Sequence, residues 1–118
     1  ELAAGLGHTF YDNETDYETV YFDKEIQHDF ASWVSGNSME PLYPNGSVAL
    51  MKQTGFDYDG AVYALIWNGK TYIKKVYREA EGLRLESINP DYDDLFAPYE
   101  DEPKIVGIVV GHFLPLEV

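Results

Sequence analysis

Apolar and polar residues follow a β-type pattern along most of the chain from residue 17 onward. In the segment 83–88, residues 83–86 alternate between apolar and polar side chains, which is typical of a half-buried strand. The apolar runs at 61–67 and 105–113 are typical of strands that are buried on both faces. About seven segments carry one of these patterns. They are 19–22, 30–34, 47–51, 61–67, 71–77, 83–88 and 105–113.

Residues with a strong turn preference separate these segments. Asn68-Gly69 lies between two β-rich runs and predicts a tight hairpin. Pro41, Pro44 and Asn45-Gly46 predict a turn-rich loop over residues 37–46. No long amphipathic helix is evident. The pattern therefore predicts a mainly β fold with little helix, either a twisted β-sandwich or a partly closed barrel of about seven strands.

The first 16 residues differ from the rest because they are small and polar and show no period. We interpret residues 1–16 as a flexible arm or linker and residues 17–118 as one folded domain, a length that suffices for a core. The chain begins with Glu1 rather than Met, so we expect it to be part of a longer protein.

Composition narrows the function classes. The formal net charge is −13, from 21 acidic and 8 basic residues, so we expect no direct contact with nucleic acid. The chain has no cysteine and no apolar run near the roughly 20 residues that span a bilayer, so we expect a cytoplasmic protein without a membrane contact. Asp91, Asp93 and Asp94 lack the spacing of a calcium loop, and we expect no metal or cofactor.

The strongest candidate chemistry is a serine paired with a lysine. A serine hydroxyl is a weak nucleophile until a base takes its proton. His8, His28 and His112 occur in no recognisable setting for that base. A lysine can serve only when neutral, and burial can lower its pKa from about 10.4 by up to 3–5 units. Ser38 lies on a turn-rich loop, and Lys74 lies in an apolar strand.

The pattern alone leaves simpler interpretations open. Alternation puts Lys74 and Lys75 on opposite faces of their strand, and both faces are half apolar, so it does not choose between them. Both lysines could be solvated strand charges. Ser38 could be an ordinary turn residue beside Gly36.

Five segments follow one another along the chain: Val34–Pro41, Tyr43–Gly46, Tyr72–Val76, Ile88–Tyr92 and Val106–Val110. Taken in this order, they resemble the C-terminal domain of LexA-type proteins, which include LexA, phage CI-type repressors and UmuD. These proteins share a β-fold with signal peptidases. The resemblance covers residues from about 30 to 113, and the Gly-x-Ser-Met-x-Pro box with the Lys-Lys strand carries most of it.

The resemblance assigns roles to individual residues. It implies that Ser38 is the nucleophile and Lys74 the general base, and that main-chain N–H groups of Asn37 and Ser38 form the oxyanion hole. It implies self-cleavage at Ala4-Gly5, an Ala-Gly bond upstream of the catalytic box. The chain departs from the family pattern in two places. Residues 7–29 resemble no part of the family, and the family often has an acidic residue near positions 46–47, where this chain has Asn45 and Ser47.

The resemblance also implies a biological setting. Cleavage would separate an N-terminal helix-turn-helix domain from this homodimerising domain of a transcriptional repressor, and a RecA filament would promote it after DNA damage. Two alternatives stay open. One is a UmuD-like polymerase accessory subunit that cleavage activates. The other is a dimerisation or partner-binding module that does not cleave.

Overall fold

Almost all of the regular secondary structure in the described residues is β-strand. The computed structural model describes residues 3–8, 17–22 and 28–115, and for residues 3–8 and 17–22 it describes the backbone alone. Within these ranges there are nine strands and one short 3₁₀ turn, Tyr99–Asp101. The mainly β fold class predicted from the sequence is confirmed. The strands are β1 Ala3–His8, β2 Tyr17–Phe22, β3 Phe30–Trp33, β4 Val48–Lys52, β5 Val62–Trp67, β6 Lys70–Arg78, β7 Gly82–Glu86, β8 Leu95–Pro98 and β9 Lys104–Phe113.

All the described strands join one curled sheet in the order β2-β1-β3-β4-β9-β5-β6-β7-β8. The β1–β3 pair is parallel, and every other described pair is antiparallel. Of the two predicted architectures, a continuous curled sheet corresponds to the partly closed barrel. Strand β9 lies at its centre and pairs with both β4 and β5, so it joins the two halves of the sheet.

The predicted hairpin is present between β5 and β6. Its turn residues Asn68 and Gly69 both have positive φ angles, 51° and 75°. Two such residues form the mirror-image turn whose twist matches that of the flanking strands. Trp67 and Lys70 close the ladder on either side of the turn.

Two strands were not predicted from the sequence. Strand β1, Ala3–His8, lies within the segment interpreted as an arm, and residues 9–16 of that segment lie outside the described residues. The sequence Ala-Ala-Gly-Leu-Gly has neither alternation nor β-branched residues, and only its pairing with β2 and β3 reveals the strand. Strand β8 is short and ends at Pro98, a residue that sheets tolerate at their edges.

The core lies on both faces of the curled sheet. Along β5, Tyr63 and Leu65 pack into one cluster with Val76 and Leu85, while Ala64 packs into a second cluster with Met51. Full burial of a side chain such as Leu65 stabilises the fold by about 1.5–3 kcal/mol. In the described part of the chain, no helix has the length and apolar character needed to cross a lipid bilayer.

Candidate functional site

The loop after β3 carries Ser38, and hydrogen bonds between its two ends constrain it. Gly36 has a φ of +84°, which a side chain would disfavour, and its N–H donates a 2.8 Å hydrogen bond to Asn45 Oδ1. Gly46 N–H donates to the carbonyl of Val34 at 2.8 Å. These bonds close the two ends of the loop on each other. Ser38 therefore sits on a constrained turn rather than on an open connection.

Buried side chains within the same loop pack into the core and hold the loop in place. Met39 is 2% exposed and packs in one cluster with Tyr43, whose N–H donates to the Met39 carbonyl at 2.8 Å. The Met39 sulfur also accepts a hydrogen bond from the Ile88 N–H at 3.4 Å. Because Met39 is held by burial and hydrogen bonds, the position of the neighbouring Ser38 is also constrained. The methionine of the serine box thus has a structural role.

The structure brings Ser38 and Lys74 into direct contact. Lys74 Nζ lies 2.7 Å from Ser38 Oγ, and the Lys74 residue is 7% exposed. Burial lowers the pKa of the Lys74 amine from its ordinary value, because leaving water penalises the charged form. In the described part of the chain no carboxylate forms an ion pair with Lys74 to oppose that effect. A neutral amine beside a hydroxyl can accept its proton.

The neighbouring lysine has the opposite environment. Lys75 projects from the other face of β6, and its Nζ lies 3.4 Å from Glu86 Oε1. The hydrogen bond and charge of Glu86 raise the pKa of Lys75. Lys75 is therefore held in its charged form, and Lys74 is the lysine that contacts the serine.

Two further residues bind the serine and the lysine, and the sequence pattern predicted a site role for neither of them. Ser87 Oγ lies 2.8 Å from Lys74 Nζ in a buried hydrogen bond. Asn89 donates from its main-chain N–H to the Ser38 carbonyl at 2.9 Å and from Nδ2 to the Asn37 carbonyl at 3.0 Å. The signal in the sequence was the Asn89-Pro90 turn, but nothing local showed which loop Asn89 would bind.

The predicted oxyanion donors lie on the loop that Asn89 holds. Neither the Asn37 N–H nor the Ser38 N–H donates a hydrogen bond to another described residue. Since the C=O and N–H of a trans peptide point in opposite directions, the bond from Asn89 to the Asn37 carbonyl directs the Ser38 N–H away from Asn89. Their role as oxyanion donors stays a prediction.

A cleft of about 270 Å³ opens beside the serine and the lysine. Residues 71–74 of β6 and residues 32–35 at the end of β3 line this cleft. Strand β7 pairs with β6 only from Lys75 onward, so the edge of β6 before Lys75 faces the cleft. Tyr92 lies at the cleft, and its ring centroid is 6.0 Å from Lys74 Nζ.

The predicted cleavage bond lies in β1. Ala4 pairs with Tyr21 and Gly5 pairs with Val20. Strand β1 runs parallel to β3 with Gly7 opposite Ala31. Ala4 is three residues before Gly7, and Trp33 is two residues after Ala31. At roughly 3.3 Å per residue, the bond therefore lies about 17 Å from the end of β3, where the serine loop begins. The structure does not bring Ala4-Gly5 to Ser38.

The acidic side chains described near the cleft form no group that could hold a metal ion. The described residues contain no group of three or more His, Cys, Asp or Glu side chains that could hold an ion. Asp94 instead pairs with Arg84 at 3.0 Å.

The fold and the contacts together define a mainly β domain with a serine–lysine pair at a cleft. Comparison with known families identifies the family of this domain. Residues 1–110 match the Peptidase S24-like family, and the chain belongs to that family. Among curated relatives, the LexA repressor of Lacticaseibacillus casei (strain BL23) is 31% identical over 118 residues. That alignment covers 97% of this chain and 55% of the relative.

Other relatives match a shorter part of the chain. The repressor protein CI of Enterobacteria phage phi80 is 40% identical over 77 residues, covering 64% of this chain and 32% of the relative. The HTH-type transcriptional regulator PrtR of Pseudomonas aeruginosa is 34% identical over 80 residues, covering 64% and 31%. The chain spans about half the length of the first of these relatives and about a third of the other two.

Proposed function

We propose that this chain is the self-cleaving domain of a transcriptional repressor and that Ser38 and Lys74 carry out the cleavage. The observation that carries the proposal is the 2.7 Å contact between Ser38 Oγ and the buried, desolvated amine of Lys74. Membership of a peptidase family supports a hydrolytic role for this contact. These relatives are named as repressors and a transcriptional regulator, which supports the repressor setting over a polymerase accessory subunit.

The proposed reaction is an acyl transfer followed by hydrolysis. Neutral Lys74 takes the proton of the Ser38 hydroxyl as Oγ attacks the Ala4 carbonyl carbon. The main-chain N–H groups of Asn37 and Ser38 donate to the oxyanion that forms. The Ala4–Gly5 C–N bond then breaks, and the Lys74 ammonium donates its proton to the leaving amine of Gly5. Water hydrolyses the remaining ester and regenerates Ser38.

The open edge of β6 favours an extended peptide as substrate. A strand that pairs with residues 71–73 would pass Ser38 Oγ with its carbonyl groups close to the hydroxyl. Small residues such as Ala4 and Gly5 would let that approach occur without obstruction. In the described arrangement β1 is held to β3 by two residue pairs, Gly7–Ala31 and His8–Ser32. Cleavage therefore requires β1 to leave β3 and enter the cleft, in an equilibrium between two arrangements.

The whole-protein role follows from the relatives and is part of the proposal. Cleavage at Ala4-Gly5 would separate an N-terminal helix-turn-helix domain from this domain, which we propose to dimerise. DNA affinity would then fall because two linked DNA-binding domains bind far more tightly than one. A RecA filament is the proposed promoter of cleavage, and the cytoplasm is the proposed location.

The test is the self-cleavage rate of the full-length protein as a function of pH. The lowered pKa of Lys74 predicts a rate that rises with pH as the ammonium loses its proton, up to a plateau above that pKa. Mass spectrometry should find a new N-terminus at Gly5. Ser38→Ala and Lys74→Ala should abolish cleavage, while Lys75→Ala, the matched control, should cleave like the parent. Parent-like cleavage by Ser38→Ala, or no fragment from the parent at any pH, would refute the proposal.

A further inference from the structure

Lys74 has a second hydrogen-bond partner that the proposed reaction does not use. Ser87 Oγ lies 2.8 Å from Lys74 Nζ, and Ser87 is 8% exposed. The bond is buried, whereas the bond from Lys74 to Ser38 opens towards the cleft. The amine is thus held from two sides by hydroxyl groups, one on the serine loop and one beyond the end of β7.

The register of the β6–β7 pair places Ser87 there. Lys75 pairs with Glu86 and Val76 with Leu85, so the next position of the ladder brings Ser87 opposite Lys74. The pairing is well anchored, because Val76 and Leu85 are fully buried. A one-residue slip would turn every side chain to the other face, which the buried pair forbids. The register of β6 and β7 therefore sets the distance from Ser87 Oγ to the Lys74 amine.

We propose that Ser87 is a positioning residue for the base, and that its hydroxyl accepts one N–H of Lys74 so that the amine directs its lone pair at Ser38. The inference rests on the proposed function. A neutral amine has two N–H groups and one lone pair, and only the lone pair accepts the Ser38 proton. With one N–H held by Ser87, rotation about the Cε–Nζ bond is restricted to orientations that face the cleft. After proton transfer, Ser87 keeps one N–H of the ammonium and another is free for the leaving amine.

The Ser87 hydroxyl also favours the charged form of Lys74, an effect that the pH dependence of the cleavage rate would report. A hydrogen bond to an ammonium is stronger than one to a neutral amine, so Ser87 stabilises the charged form and partly opposes desolvation. Among the described residues, the titratable side chains that face Lys74 are those of Tyr63, its cross-strand partner on β5, and Tyr92. Glu86 pairs with Lys75 on the opposite face of β6. Loss of the Ser87 hydroxyl should therefore shift the rate midpoint to lower pH and also lower the plateau rate.

The experiment measures self-cleavage of the full-length protein against pH for the parent and Ser87 variants. Ser87→Ala should lower the plateau rate by at least about tenfold and move the midpoint to lower pH. Ser87→Thr keeps the hydroxyl and should restore both. Ser47→Ala is the matched control, because Ser47 is also buried and its hydroxyl donates to a carbonyl, that of Pro44, at 2.7 Å. Ser47→Ala should leave the pH midpoint of the cleavage rate unchanged. A variant that only destabilises the fold reduces the folded fraction without moving that midpoint.

The outcomes separate the two proposals. If the parent cleaves and Ser87→Ala matches it in plateau and midpoint, the positioning role is wrong and the proposed function stands. If Ser87→Ala lowers the plateau without moving the midpoint, as a structural defect would, the positioning role is also wrong. If the parent itself yields no fragment, the proposed function fails. Circular dichroism shows whether Ser87→Ala folds, and Ser87→Cys, with a weaker acceptor of similar size, replaces it if it does not.

Discussion

At the residue scale, the site depends on three consecutive residues that follow β7. Ser87 binds the lysine amine, Ile88 binds the Met39 sulfur, and Asn89 binds the serine loop. One short segment therefore sets the distance between the base and the nucleophile. The serine and the lysine come from different elements, β6 and the loop after β3, and this third segment holds both. The chemistry requires an exact approach of these atoms, since a small misplacement is costly in rate.

Asn89 gives a prediction at this scale. Asn89→Ala removes the donor to the Asn37 carbonyl and so loosens the peptide that carries the Ser38 N–H. We expect the plateau rate of self-cleavage to fall about tenfold, equivalent to about 1.4 kcal/mol. Thermal stability should change by no more than about 1 kcal/mol because the bond is exposed.

The matched control for this change is Gln53→Ala. The Gln53 side chain is an exposed amide that makes no hydrogen bond to the described residues. Its removal should alter neither the rate nor the melting temperature. A parent-like rate for Asn89→Ala would show that the loop keeps its geometry without the side-chain bond.

At the scale of the elements, the central strand β9 holds the two halves of the sheet together. Its register shifts against β4 between Leu50 and Met51 and against β5 between Ala64 and Leu65. Gly107 lies at the crowded part of this strand. A Cβ at Gly107 would lie 2.7 Å from the Phe30 ring and 2.9 Å from the Lys52 carbonyl oxygen. The glycine therefore lets a bulged strand approach its neighbours closely.

Gly107→Ala is the corresponding prediction. The added methyl group would displace the Phe30 ring and the β4 backbone, so we expect a loss of about 1–3 kcal/mol in the free energy of unfolding. Urea denaturation followed by fluorescence measures the change. Gly55→Ala is the control, since a Cβ there meets nothing within 4 Å, and its midpoint should stay close to that of the parent. Equal midpoints for the two variants would contradict the packing argument.

At the scale of the whole molecule, negative charge dominates. The formal net charge is −13 and the sequence pI is about 4.3. Three ion pairs are present among the described residues, and two of them involve Arg84. Most acidic residues therefore repel one another, and the compact state bears the cost of that repulsion.

Salt should relieve this repulsion. Raising the ionic strength from about 0.02 M to about 0.5 M shortens the screening length severalfold, so we expect the melting temperature to rise. A rise of roughly 3–6 °C would correspond to about 1 kcal/mol for a domain of this size. Calorimetry or circular dichroism measures it. The double variant Asp93→Asn, Glu100→Gln removes two exposed charges that make no ion pair with the described residues, and its salt response should be smaller. A flat response in the parent would show that repulsion is not a significant cost.

The sequence by itself determined the fold class, six of the strands in the fully described part of the chain, and the Asn68-Gly69 hairpin, because alternation and turn chemistry are local properties. It also singled out Ser38 and Lys74 through motifs that resemble a known family. It could not choose between Lys74 and Lys75 from alternation, since both faces of β6 are half apolar.

Only the tertiary structure decided the rest. Strand β1 and the edge strand β8 are defined by their pairing with other strands rather than by a local pattern of residues. Lys74 meets Ser38 because the loop after β3 packs against β6, while Ser87 reaches the amine through the β6–β7 register. Burial then lowers the pKa of Lys74, and Glu86 keeps Lys75 charged. Desolvation depends on what packs around a group in three dimensions, and no local pattern in the chain encodes that.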